Sequence, residues 1–243
     1  MQVYREIPMI TNQARERPAE LAGIVSVAEE WNVASHKQRA YASISSLPEE
    51  VPFVLDSGTG MYLNAILLDI PLAPKVPPEI RVRAEEMASG AANPRRAARE
   101  IELVTSGARE RGSIWSGEPP YEITLVYLRP QRLDLDHNIK TRSSRIVREG
   151  QQEAKELAES GIVPNPSVRE AIGVKEMLLY VSGNISREEA EETIATRTRR
   201  LARRQVRWFD KLARSLPKET STLIIEETRD LNIRHIMHDI IGA

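Results

Sequence analysis

"VPFVLDSGTGMYLNAILLDIPLAP" (51–74) decides how the chain reads. Val51 to Leu55 is a short apolar run bounded by Pro and Asp, the pattern of a buried strand. Gly58-Thr59-Gly60 then makes a tight turn, and Met61 to Leu68 reads as a helix packed through Met61, Ala65 and Leu68. A strand, a glycine turn and a helix start form an α/β crossover unit. In such a unit the carboxyl end of the strand and the N-terminus of the helix share one edge, where ligands bind. The stretch therefore predicts an α/β fold with a parallel sheet.

Pro71, Pro74, Pro77 and Pro78 end that unit and stiffen the exit from it. Residues 79 to 105 are charged and helical in pattern, with an interruption near Gly90 to Pro94. "YEITLVYLRP" (121–130) reads as another buried strand. From Asp136 onward the pattern predicts helices over 136–160, 167–180 and 186–215, separated by Gly161-Pro164-Pro166 and Gly183-Asn184. Ser186 followed by Glu189 is a capping box for the last of these. "STLIIEE" (221–227) reads as a final edge strand and 231–241 as a terminal helix. The expected organisation is an α/β core of 1–70 and 116–243 interrupted by a short helical segment, 71–115.

Composition sets the outer limits. The chain has 243 residues, 41% hydrophobic and 28% charged, which suits a globular protein with a sizeable core. No apolar run approaches the roughly 20 residues of a membrane span. The absence of cysteine excludes disulfides and thiolate metal sites. A net charge of −1 means that any nucleic-acid surface must be local.

One such surface stands out. "RTRRLARRQVRWF" (197–209) is dense in arginine. At about 100° per residue, Ile194, Leu201, Trp208 and Leu212 fall on one stripe that faces the core. Arg197 and Arg204 flank the stripe, Arg200 and Arg207 lie further round, with Arg207 projecting outward, and Arg199 and Arg203 point nearly opposite. Arginine's planar fork suits phosphate oxygens. The ordinary alternative is a solvated helix paired to Glu191, Glu192 and Asp210. His235, His238 and Asp239 have metal-like spacing but lack a fourth ligand, so they read as surface groups.

These segments together resemble the tRNA dimethylallyltransferases (tRNA isopentenyltransferases). "TRRLARRQVRWF" is similar to that family's C-terminal signature. "PSVREAIGVKEMLLYVSGNISREEAEE" resembles its Ala-Ile-Gly-Tyr-Lys-Glu segment, with Val174 where tyrosine is usual. "DSGTGMYLNAIL" resembles its Gly-Gly-Thr-Gly-Leu-Tyr turn, with Ser57 for the first glycine. "NPRRAAREIEL" and "MQVYR" resemble its Asn-Asp-x-x-Arg-x-x-Arg-Ala-Leu-Glu segment and the tail of Asp-Ser-x-Gln-x-Tyr-Arg. The segments lie in family order along nearly the whole chain.

The resemblance implies a P-loop-NTPase-like parallel sheet and a reaction. A dimethylallyl group passes from dimethylallyl diphosphate to the exocyclic amine of an adenine beside the tRNA anticodon, with Mg²⁺ as cofactor, in a cytoplasmic monomer. By the same resemblance Gln2, Thr59, Arg81, Arg95, Arg96 and Arg99 would contact tRNA. Arg199, Arg203 and Arg204 would meet the diphosphate or tRNA phosphates, Arg204 being favoured for the cleft because it borders the buried stripe. The sequence departs from the family in three ways. No Gly-x-x-x-x-Gly-Lys-Ser/Thr loop occurs, the general-base aspartate would precede Met1, and the helical insertion that grips the anticodon arm is shortened. No catalytic residue is therefore assigned, and Met1 is expected not to be the functional start. Two other readings stay open: a non-catalytic RNA-binding remnant or truncated product of the family, and an adenylate isopentenyltransferase, against which Arg95 to Arg99 argue.

Overall fold

The computed structural model describes residues 1–13, 19–72, 76–107 and 113–226. The chain forms two compact units, Met1–Gly60 with Glu122–Ala243, and Met61–Tyr121. The fold is α/β but mostly helical. Its sheet among the described residues is one parallel pair, β1 (Thr124–Leu128) against β2 (Ser221–Ile225), in the register Thr124 to Ser221 through Leu128 to Ile225. A separate parallel bridge joins Tyr4 to Val25.

The larger unit is built on the N-terminal segment. Val3, Tyr4, Ile7 and Ile10 are buried with Val25 and Val27. Around them pack α5 (Arg132–Glu149), α6 (Gln151–Glu159), α7 (Pro166–Arg169), α8 (Val174–Val181) and α9 (Arg187–Ser215), which contribute Ile146, Val147, Leu157, Val168, Met177 and Ile194. Polar groups close the joints. Glu153 accepts from the backbone N–H of Met9 and Ile10 at 2.6 and 2.9 Å. Asn165 caps α7 and donates to Val27 O and Glu29 O at 3.0 and 2.7 Å. The helix α1 (Val33–Ser45), capped by Asn32, also belongs to this unit.

The smaller unit holds most of α2 (Gly60–Leu67), with α3 (Pro78–Met87) and α4 (Pro94–Thr105). Leu63, Ala65, Ile66, Leu67 and Leu68 are all buried, so α2 is covered nearly all round. Ala84 and Ala88 meet Ala98 where α3 packs on α4. Pro78 and Pro94 each sit in a first turn, where the missing N–H costs nothing.

Three local expectations need correction. Val51–Leu55 is not a strand. Phe53 and Leu55 are half-covered and Val54 is 61% exposed, so the side chains alternate. The segment belongs neither to the β1–β2 pair nor to the Tyr4–Val25 bridge, and an extended run outside a ladder is not a strand. The single helix expected over 136–160 is two, α5 and α6, divided at Gly150, and it starts earlier, at Arg132. The one expected over 167–180 is likewise split into α7 and α8, at Gly173. The strand at 221–227 is described as far as Ile225, and the terminal helix with His235, His238 and Asp239 lies outside the described residues.

One polar cluster ties the sheet to α9. Arg129, just beyond β1, donates to Asp210 of α9 at 3.0 Å and to Glu226, just beyond β2, at 3.1 Å. Tyr127 Oη donates to Asp210 at 3.1 Å. Burial, and then this bond, push the Tyr127 hydroxyl up to about 12. The Arg129 bond holds the Asp210 carboxyl below its usual range. A depressed carboxylate contributes stability that is present above the ordinary carboxylate range and lost as pH falls through the depressed value. The melting temperature should therefore drop below about pH 4, and Asp210→Asn should lower it at neutral pH while flattening that acid limb. An unchanged acid limb in this variant would show that the cluster does not link folding to pH.

Candidate functional site: an arginine cleft on one helix

α9 is 29 residues long and starts at a complete capping box, Ser186 accepting from Glu189 N and Glu189 accepting from Ser186 N. Two seams hold it. Ile194 and Leu212 are fully buried on the first. Ala195 and Ala202 form the second, against Ile139 and Leu135 of α5. The apolar stripe expected from the sequence matches only the first seam. Alanine is too small to dominate a hydrophobic pattern, so the second was not apparent.

With those two sides buried, the remaining face carries the arginines. Arg197, Arg200, Arg203, Arg204 and Arg207 line a cavity of about 510 Å³ together with Ile172. Positions 197, 200, 204 and 207 repeat at the three- and four-residue spacing of one helix face. Among the described residues, Arg200, Arg203, Arg204 and Arg207 have no ion pair or hydrogen-bond partner for their guanidinium groups. Arg197 differs, pairing with Glu176 and donating to Glu170 O at 2.6 Å.

Arg203 and Arg204, expected at phosphates, are in the lining. Arg199 is not. It lies beside the alanine seam and donates to Asp136 of α5 at 2.7 Å and to Glu192 at 3.1 Å. Its bonds hold both carboxyls below their usual range. Arg200 and Arg207, which the wheel placed further round, the second of them outward, also line the cavity, because the cleft spans about 120° of the helix. Their spacing relative to Arg204 was the available signal.

The glycine turn sits on the same helix. Gly58 O accepts from Gln205 Nε2 at 2.7 Å. Gly60 packs against Trp208 so closely that a Cβ would lie 2.2–2.4 Å from three atoms of the indole ring. Thr59 is thus held, exposed, over the turn of α9 that follows Arg204, its N–H donating to Ser57 Oγ at 3.2 Å. Gln2 is half-buried and donates to Asn12 O at 2.7 Å, outside the cleft lining.

Within the smaller unit Arg81, Arg96 and Arg99 have carboxylate partners. Glu102, 4% exposed, takes Arg99 and, at 3.7 Å, Arg81. Arg96 pairs with Glu100 at 3.0 Å. Arg95 occupies the second residue of α4. The described residues contain no cluster of three or more His, Asp or Glu that could hold a metal ion. The cleft lining has five guanidiniums and no carboxylate, a donor set that does not fit Mg²⁺.

A family model described as IPP transferase matches residues 2–212. The chain belongs to that family. The matched span of this IPP transferase chain includes Gln2, the glycine turn and every arginine of the cleft, and ends just before β2. A tRNA dimethylallyltransferase of Rubrobacter xylanophilus is 59% identical over 249 residues, taking in 100% of this chain and 85% of the relative. One from Deinococcus radiodurans is 29% identical, over 85% of this chain and 78% of the relative. Among solved structures, the full-length tRNA isopentenylpyrophosphate transferase of Bacillus halodurans superposes with a TM-score of 0.66 at 26% identity, covering 99% of this chain and 84% of that one. The Staphylococcus epidermidis tRNA delta(2)-isopentenylpyrophosphate transferase shares the fold, with a TM-score of 0.68 at 20% identity over 100% and 87% of the two chains. No described helix is long and apolar enough to cross a membrane.

The docking of the turn on α9 is testable. Gly60→Ala should destabilise the protein by about 1–3 kcal/mol in denaturant titration, because the new methyl overlaps the Trp208 ring. Adding Trp208→Ala should remove most of that penalty, so the two costs would not add. Additive costs would mean that the methyl is accommodated elsewhere.

Proposed function

We propose that this chain prenylates tRNA, transferring a dimethylallyl group from dimethylallyl diphosphate to the exocyclic amine of the adenine 3′ of the anticodon. The observation that carries this reading is the 59% identity, across the whole chain, to a protein named tRNA dimethylallyltransferase. The remnant and adenylate readings have no comparable support.

The cleft supplies the physical chemistry. The C–O bond of the prenyl diphosphate breaks as a C–N bond forms, the diphosphate leaves with the electron pair, and the amine nitrogen releases one proton to solvent. Charge grows on its oxygens in the transition state, and preorganised guanidiniums placed there lower the barrier. Arg200, Arg203, Arg204 and Arg207 are suited to this because no described residue compensates their charge. Thr59, held over the turn of α9 that follows Arg204, is where the acceptor base would enter after leaving its stack. Gln2 and Arg95, Arg96 and Arg99 of the 71–115 segment would hold tRNA, and binding would weaken steeply with salt as counterions are released. Mg²⁺, if used, would neutralise diphosphate charge, and its protein ligands would come from outside the cleft. The parallel register of β1 and β2 and the likeness to solved structures support a P-loop-NTPase-like sheet. A tRNA substrate fits a cytoplasmic location.

Transfer of labelled dimethylallyl groups to an anticodon stem-loop tests the assignment. Arg203→Ala and Arg204→Ala should each cut the rate about ten- to hundredfold, the loss of a charge-assisted contact of about 1.5–3 kcal/mol. Arg199→Ala, whose partners are Asp136 and Glu192, should cost far less. Equal losses in all three would show that the unpartnered arginines have no special role.

A further inference from the structure

Four of the five cleft arginines lack partners among the described residues, and the fifth, Arg197, is bound at both ends of its fork. Nη1 meets Glu176 and Nη2 donates to Glu170 O at 2.6 Å. Glu176 is 2% exposed, and its second oxygen accepts from Gly173 N at 2.8 Å. Gly173 has φ +94°, a backbone conformation that side-chain-bearing residues rarely adopt. Between Glu170 and Gly173 lies Ile172, the apolar residue of the cleft. One buried carboxylate therefore joins the corner that carries Ile172 to the helix that carries the arginines.

Capping alone does not call for that carboxylate. Gln caps a helix start as Glu does, without burying a charge. Burying a charged group is costly unless it is paired, and the partner here is an arginine of the cleft. We infer that Glu176 is a positioning residue for the prenyl-transfer cleft, acting through Arg197 to fix Ile172 and the wall from which the free arginines work. This inference rests on the reading of the cleft as the diphosphate site.

The test uses the full chain with inorganic pyrophosphate as the probe, followed by calorimetry, together with prenyl-transfer kinetics and thermal unfolding. Glu176→Gln keeps the cap but removes the charge. It should weaken pyrophosphate binding and raise KM for dimethylallyl diphosphate by roughly tenfold, with kcat less affected. This direction is distinctive, because releasing Arg197 adds an uncompensated cation to the cleft, and simple charge attraction would tighten binding. Arg197→Met should give the same loss, and the double variant should be no worse than either single one. If Glu176→Gln does not fold, Arg197→Met carries the same expectation, since its side chain is 27% exposed. A parent that binds no pyrophosphate overturns the reading of the cleft and this inference with it. A parent that binds while Glu176→Gln binds as tightly or more tightly, and only melts earlier, overturns the inference alone, as do single losses that multiply in the double variant.

Discussion

The rotation of α9 about its own axis is the constraint on which the site depends. Ile194 and Leu212 fix one side of the helix and Ala195 and Ala202 another, so only one orientation buries all four. Each residue turns the helix by about 100°, so a slip of one position would bring arginines into the core. The directions of the guanidiniums are thus set by apolar packing on the far sides, and no contact of their own is needed to aim them. The capping box at Ser186 and the Asp210 cluster near the other end hold the same helix against fraying.

Charge compensation then sorts the arginines. Where the protein needs a cation for itself, it supplies a carboxylate: Asp136 and Glu192 for Arg199, Glu102 for Arg81 and Arg99. On the cleft face, among the described residues, it supplies one for Arg197 alone. Guanidiniums left together repel one another, and a bound polyanion relieves that repulsion while gaining bidentate contacts. The pattern of missing partners is therefore more informative than the number of arginines, since a solvated basic helix would show pairs along its length.

Much of this was legible because it is local. The capping box, the helix after the glycine turn, the break between α3 and α4 and the presence of Arg203 and Arg204 on the open face follow from nearest-neighbour spacing. What failed was non-local. Val51–Leu55 has strand composition, but a strand exists only beside a partner, and composition does not report one. The alanine seam against α5 is invisible to a pattern weighted by hydrophobicity, and so is the pairing of Arg199 with Asp136 beside it. Arg207 was read as outward because the wheel gives direction but not the width of the cleft. Glu176, a charged residue in a helix start, looks exposed in the sequence, and only the fold shows it buried.

The central claim is that the uncompensated arginines of α9 hold the diphosphate. A crystal structure of the protein with pyrophosphate tests it most directly. The account predicts the anion in the cleft, its oxygens within hydrogen-bonding distance of guanidiniums from Arg200, Arg203, Arg204 and Arg207. Pyrophosphate bound elsewhere on the chain, with the cleft left empty in the same crystal, would contradict it.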